Sequence, residues 1–166
     1  MKVCFIGHRT IEKTERLMFL LKEIVLKLIK EGATTFLFGS NSAFDDLSWK
    51  VVTELKKEYS FIKRVYVRSA YQHIDTAYEK YLLKSYEETY FPEKIEKAGK
   101  SSYIKRNYEM IDKSTCCVFY YNEKYEPQAI VKSKSKMLLS PKRNSGTKIA
   151  YNYALKKKKQ IINLFE

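Results

Sequence analysis

The chain has 166 residues, 45% hydrophobic and 14% aromatic, which is enough to bury a substantial core and too apolar for a disordered chain, so one domain over 1–166 is expected. Lys and Arg total 32 against 19 Asp and Glu, a formal charge of +13, but the arginines are only Arg9, Arg16, Arg64, Arg68, Arg106 and Arg143, and the Ile-, Tyr- and Asn-rich mix fits an AT-rich genome without selection for DNA binding. Met1 to Gly7 is apolar for too few residues to be a signal peptide or a membrane span, and Cys4, Cys116 and Cys117 make neither a disulfide framework nor a zinc spacing; a cytoplasmic protein with reduced packing cysteines and no membrane partner is expected.

Lys2 to Ile6 reads as a buried strand. Leu17, Leu20, Leu21, Ile24, Val25 and Leu28 then repeat at three and four residues up to Gly32, an amphipathic helix. Thr34 to Phe38 is a second strand, Gly39 to Ser42 a turn, and Leu47, Val51, Val52 and Leu55 the inner stripe of a second helix. Ile62 to Val67 is a third strand. From Asp75 to about Phe91 the pattern is helical, polar and Tyr-rich, closed by Pro92 and Gly99; no function is read from residues 75–99. Ser101 and Ser102 can cap a helix reaching about Asp112, with Ile104, Tyr108 and Ile111 as a core stripe and Tyr103, Arg106, Asn107 and Met110 beside it. Thr115 to Tyr121 is a strand, Ser145 to Lys157 a helix and Gln160 to Phe165 a final strand. Strands alternating with helices predict an α/β, Rossmann-like fold. Its sheet is mostly parallel and covered by helices on both faces, with ligands beyond the carboxyl ends of the strands.

Between the last two strands, residues 122–144 form a long connection carrying Lys124, Lys132, Lys134, Lys136, Lys142, Arg143 and two prolines. It reads either as a mobile basic flap over an anionic ligand or as a plain surface loop. Lys156 to Lys159 suits the carboxyl end of a helix and sits in solvent.

Three segments should meet on the carboxyl edge. Gly7-His8-Arg9 follows the first strand; His8 and Arg9 can bind phosphate, or His8 can simply hydrogen-bond within the loop. Gly39, Ser40 and Asp45 follow the second strand; Asp45 can accept from ribose hydroxyls or stabilise a helix start. In Arg143-Asn144-Ser145-Gly146-Thr147-Lys148, Gly146 allows close backbone approach and the Ser145 and Thr147 hydroxyls join free helix-start N–H groups. That is an anion site, or an ordinary capped helix start. Arg106 beside Asn107, with Tyr103 one turn earlier, suits a phosphate or ribose and a stacked base, or is a solvated helix shoulder. No GxGxxG follows the first strand and no Walker-type turn is present, which argues against an ordinary NAD dehydrogenase or P-loop NTPase. No cofactor and no metal are called for.

Together, Ile6-Gly7-His8-Arg9, Phe38 to Asp45, Tyr103 to Asp112 with its Arg106-Asn107-x-x-Met110 core, and Ser145-Gly146-Thr147 with its following Ala and Tyr resemble the SLOG superfamily, which includes the LOG cytokinin-activating enzymes and the DNA-processing protein DprA. The resemblance implies a Rossmann-like domain that binds nucleotides or nucleotide-derived ligands. Gly7, Arg9, Gly39, Asp45, Arg106, Asn107, Ser145, Gly146 and Thr147 stand at matching motif positions. Ser145 replaces a frequent family glycine, Ala43 replaces another, and Ala150 stands where LOG enzymes carry the glutamate of their phosphoribohydrolase reaction. The expectation is therefore a sensor or binding module for an ADP-ribose-like, cyclic-nucleotide or nucleotide ligand, with no catalysis required. The alternatives are a LOG-like hydrolase using Asp45 or Asp112, and DprA-like single-strand nucleic-acid binding through lysines and exposed tyrosines. Whether the chain forms a homo-oligomer stays open.

Overall fold

A computed structural model describes residues 1–12, 14–39, 42–95, 98–125 and 145–165. The 126–144 part of the basic connection, with Arg143, and Ser40 lie outside the described residues.

Six strands form one all-parallel sheet in the order β4-β3-β2-β1-β5-β6: β1 Lys2–Gly7, β2 Thr35–Phe38, β3 Lys63–Val67, β4 Glu88–Tyr90, β5 Cys116–Tyr120 and β6 Gln160–Asn163. The helices are α1 Glu15–Lys30, α2 Ala43–Leu55, α3 Thr76–Leu82, α4 Ser102–Lys113 and α5 Gly146–Lys156. This is the doubly covered Rossmann-like sheet that strand–helix alternation predicts. The chain steps outward from β1 to β4 and then returns to place β5 on the other side of β1, so the order reverses between β1 and β5.

Because successive strand residues face opposite sides, each strand feeds two cores. Val3, Phe5, Phe36, Phe38, Cys116 and Val118 pack with α1 and α2; Cys4, Ile6, Leu37, Val65, Cys117 and Phe119 pack with Met110 and Ile111 of α4 and Ala150 and Ala154 of α5. The adjacent Cys116 and Cys117 accordingly point into different cores, and all three cysteines are buried and free. Phe5 stacks on Phe38 at 5.2 Å and meets Phe44 of α2 edge-on at 6.5 Å, which seats α2 against the central strands.

Two expectations are corrected by tertiary contacts. The helix expected over residues 75–91 ends at Leu82, and Glu88–Tyr90 instead adds the edge strand β4. Three contacts hold the chain out of the helix there: Trp49 Nε1–H donates to the Ser85 carbonyl at 3.1 Å, Tyr86 stacks on Tyr66 at 5.2 Å, and Glu87 accepts from Arg64 through Nη2 at 2.7 Å and the backbone N–H at 2.6 Å. The buried face of α4 is the second correction. Arg106, Asn107 and Met110 are 4%, 8% and 0% exposed, so this stripe faces inward rather than forming a solvated shoulder, while Ile104 and Tyr108 are only half-buried and Tyr108 stacks on Tyr153 of α5 at 3.9 Å.

Candidate functional site

The strands end at one edge, and α2, α4 and α5 all begin there. The focus of that edge is Arg106. Met110 and Arg106 lie so close to the end of β2 that a methyl group on Gly39 would stand 2.5 Å from Met110 Sδ and 2.7 Å from Arg106 Nε; only glycine leaves the space. The guanidinium donates to Asn107 Oδ1 from Nε at 3.3 Å and from Nη2 at 3.0 Å, and Nη1 donates to Ser69 Oγ at 3.4 Å. Burial lowers the Arg106 pKa, while the charge of Asp45 and the Tyr66 phenol pull it back up.

Asp45 is built into its turn. Ser42 is the N-cap of α2: its hydroxyl donates to Asp45 Oδ2 at 2.5 Å and accepts the Asp45 N–H at 3.0 Å, while Gly39 N–H donates to Asp45 Oδ1 at 3.4 Å. Asp45 stabilises the helix start and sets a negative charge within the field of Arg106.

At α5, Ser145 is the N-cap and its Oγ accepts the Lys148 N–H at 3.1 Å. The cap leaves the Gly146 and Thr147 N–H groups facing outward by helix geometry, and the Thr147 side chain is buried. Tyr103, 46% exposed, lies over this start: a methyl group on Gly146 would come within 3.1 Å of its Cε2. One helix, α4, therefore carries Tyr103 to the α5 start and Arg106 to the β2 end.

Gly7 is closed by α2, since a methyl group there would meet Phe44 Cβ at 2.5 Å. His8 lies at the point where strand order reverses, and that crevice is filled by the chain itself. His8 is 1% exposed, its Nε2 accepts the Asn122 N–H at 2.8 Å, and its ring stacks on Tyr125 at 3.9 Å. Nε2 also lies 3.2 Å from the Asn122 carbonyl oxygen, which accepts from it in the other tautomer, and Nδ1 is buried without a partner among the described residues. Burial lowers the His8 pKa, with the Asn122 carbonyl pulling the other way. Arg9 is exposed, and its carbonyl accepts the Ala43 N–H at 3.0 Å.

The structure thus brings Gly39, Asp45, Arg106 and Asn107 into one cluster, places Gly146 beside Tyr103, and turns His8 toward the Asn122–Tyr125 segment. Ser69, Ser42 and Tyr66 were not read from the sequence. Ser42 was legible as a serine three residues before Asp45, the spacing of a cap; Ser69 and Tyr66 carry no local signal.

The depressed His8 pKa has a measurable consequence. Its folded value lies below the unfolded value of about 6.5, so its contribution is intact above that pH and is lost as pH falls through the folded value. The melting temperature of the wild type should drop between pH 7 and 5.5 more steeply than that of His8→Gln. Parallel curves would show that His8 does not titrate with unfolding.

Among the described residues no group of His, Cys, Asp and Glu is arranged to hold a metal ion, and no helix is long and apolar enough to cross a membrane.

Residues 6–158 match the sequence model of the YspA SLOG family. Among solved structures, the chain is similar to DNA processing protein A from Helicobacter pylori, described for its single-stranded DNA binding mode, with a TM-score of 0.57 and 15% sequence identity over 97% of this chain and 63% of that one. At that identity the likeness shows the fold alone. No curated protein matches the chain.

Proposed function

Since the chain belongs to the YspA SLOG family, we propose that it binds a nucleotide-derived ligand, such as a nucleotide, a cyclic nucleotide or an ADP-ribose-like species, at the carboxyl edge of its sheet, as a sensor or binding module. The observation that carries this is Arg106, a 4% exposed guanidinium seated against Gly39 whose described hydrogen bonds run to the neutral acceptors Asn107 and Ser69. Burying a cation is costly unless something repays it. Asp45 supplies part of the compensation, and a phosphate supplies more through the forked donors of the guanidinium. The α5 start adds the Gly146 and Thr147 N–H groups, and the exposed ring of Tyr103 offers a face for a base. Ser145 acts through its cap.

A LOG-like hydrolysis finds less support. Ala150 is 1% exposed in the core beneath α5, and Asp112 is hydrogen-bonded to Tyr153 at 3.1 Å about 9 Å along α4 from Arg106. That leaves Asp45, which is tied to Ser42 and Gly39.

Isothermal titration with AMP, cyclic AMP and ADP-ribose tests the proposal, beside native mass spectrometry for a co-purified nucleotide. Saturable binding of at least one of these with one site per chain is expected; no heat and no co-purified mass would end this reading.

One observation favours a second reading, single-strand nucleic-acid binding of the kind named for the Helicobacter pylori protein. Tyr71, Tyr78 and Tyr81 are 73%, 39% and 65% exposed and form a ladder, with Tyr71 edge-on to Tyr78 at 6.4 Å and Tyr78 stacked on Tyr81 at 6.2 Å. Tyr71 takes a left-handed φ of 59°, and its carbonyl accepts from Arg68 Nη1, which holds the ring out beyond β3 close to Ser69. If bases stack on this ladder, Tyr81→Ala should weaken oligo-dT binding by roughly 5- to 150-fold, from about 1–3 kcal/mol per stacked base. Fluorescence anisotropy at several salt concentrations reads this out. A Tyr81→Ala affinity equal to wild type would leave the ladder without that role.

A further inference from the structure

We propose that the Arg106 cluster and the tyrosine ladder are one continuous site, which takes the end of a single nucleic-acid strand: a terminal phosphate at Arg106, and the bases behind it on Tyr71, Tyr78 and Tyr81. This rests on the Arg106 cluster binding phosphate.

The two surfaces meet just beyond the end of β3 at Val67. Arg106 Nη1 donates to Ser69 Oγ at 3.4 Å. Ser69 belongs to the same turn as Arg68, whose Nη1 donates to the Tyr71 carbonyl and, at 3.4 Å, to the Gln72 carbonyl. Tyr71 meets Tyr78 edge-on and Tyr78 stacks on Tyr81, so the rings lead away from that turn. Tyr66 of β3 ties the ground together. Burial raises its pKa first; Arg106 then lowers it, Tyr78 and Asp45 raise it, and Arg68 lowers it. One phenol thus lies within charge reach of both guanidinium groups and of a ladder ring.

The two arginines differ in depth, and the difference selects the end of a strand. Arg106 is 4% exposed and closed in by Gly39 and Met110. An internal phosphodiester has a sugar on each side, and both would have to enter that space with it. A terminal phosphate projects on a single ester bond, with three free oxygens and a charge of about −1.5 to −2 at neutral pH, two of whose oxygens the guanidinium fork can take. Arg68 is half-buried, and its described hydrogen bonds run to uncharged carbonyls, so it can meet the first phosphodiester closer to the surface. Beyond it, three exposed rings in series offer more stacking face than the single base of a mononucleotide can cover.

Calorimetry with short oligo-dT tests this, comparing 5′-phosphorylated, 3′-phosphorylated and unphosphorylated strands with thymidine monophosphate. At least one phosphorylated strand is expected to bind roughly 30-fold tighter than the unphosphorylated one, as a charged partner at a buried site demands. It should also bind at least about fivefold tighter than thymidine monophosphate, from stacking on the ladder. Arg106→Ala should abolish the gain from the phosphate, whereas Tyr81→Ala should weaken both kinds of strand and keep their ratio. The wild-type comparison needs no variant to fold. The proposal is overturned if phosphorylated and unphosphorylated strands bind alike, or if the gain survives Arg106→Ala. It is equally overturned if no phosphorylated strand outbinds thymidine monophosphate, in which case a mononucleotide site stands without the ladder; if neither strands nor mononucleotides bind, the nucleotide reading falls as well.

Discussion

Arg106→Ala should lower the affinity for a nucleotide ligand at least roughly 30-fold, because a hydrogen-bonded charge removed from a buried site costs about 2 kcal/mol or more. The magnitude follows from burial. At 4% exposure the guanidinium meets a phosphate with little water between them, and its hydrogen bonds to Asn107 and Ser69 hold the fork in place beforehand. Arg106→Lys separates charge from geometry: it keeps a cation but loses the fork, and should fall between wild type and alanine. Thermal melting of the same samples controls for packing, since Arg106 also leans on Gly39 and Met110. If titration calorimetry gives Arg106→Ala the affinity of wild type while the fold is intact, the ligand does not sit at this cluster, and the Tyr71–Tyr81 ladder becomes the better candidate surface.

Gly7→Ala should have the largest effect on stability. The added methyl would stand 2.5 Å from Phe44 Cβ, Cγ and Cδ1, and Phe44 is fully buried at the first turn of α2 with its Cβ fixed to the helix backbone. Relief requires α2 to move off β1, which strains the Phe5–Phe44 contact and the Ala43 N–H to Arg9 carbonyl bond at 3.0 Å together. Overpacking of this kind costs about 3 kcal/mol, or roughly 6 to 12 °C in melting temperature for a chain of this length. Gly146→Ala is the internal comparison. Its methyl would meet only the edge of a half-exposed Tyr103 ring at 3.1 Å, so it should shift Tm by a few degrees at most while disturbing the ring that faces the ligand. Calorimetric melting of both variants decides it; a Gly7→Ala melting point within a degree or two of wild type would mean that α2 is free to slide.

The alternation of strands and helices was legible because local chemistry writes it. The three- and four-residue spacing of Leu17 to Leu28 and the apolar run at Thr115 to Tyr121 correspond to α1 and β5. The convergence of Gly7, Gly39 and Gly146 on one edge followed from parallel strands, since every strand then ends on the same side. Residues 75–91 were misread because their polar, helix-permitting pattern is only a weak preference. Trp49, Tyr66 and Arg64, all distant in sequence, recruit residues 85–87 and leave Glu88–Tyr90 to pair with β3. His8 shows the same limit. Its position after the first strand was evident, but not its burial under Tyr125, a residue far along the chain.

What the sequence determined by itself was the alternation of strands and helices outside residues 75–91, a mostly parallel covered sheet and the edge at which its glycine turns and helix starts gather, because hydrophobic period and turn chemistry are properties of neighbouring residues. Only the tertiary structure decided which stripe of α4 faces inward. It seated Arg106 against Gly39 within the field of Asp45, and committed Ser145 to a cap and His8 to the Asn122–Tyr125 segment. Those outcomes depend on which surfaces compete for the same space, and that competition is settled by packing between residues with no local spacing in common.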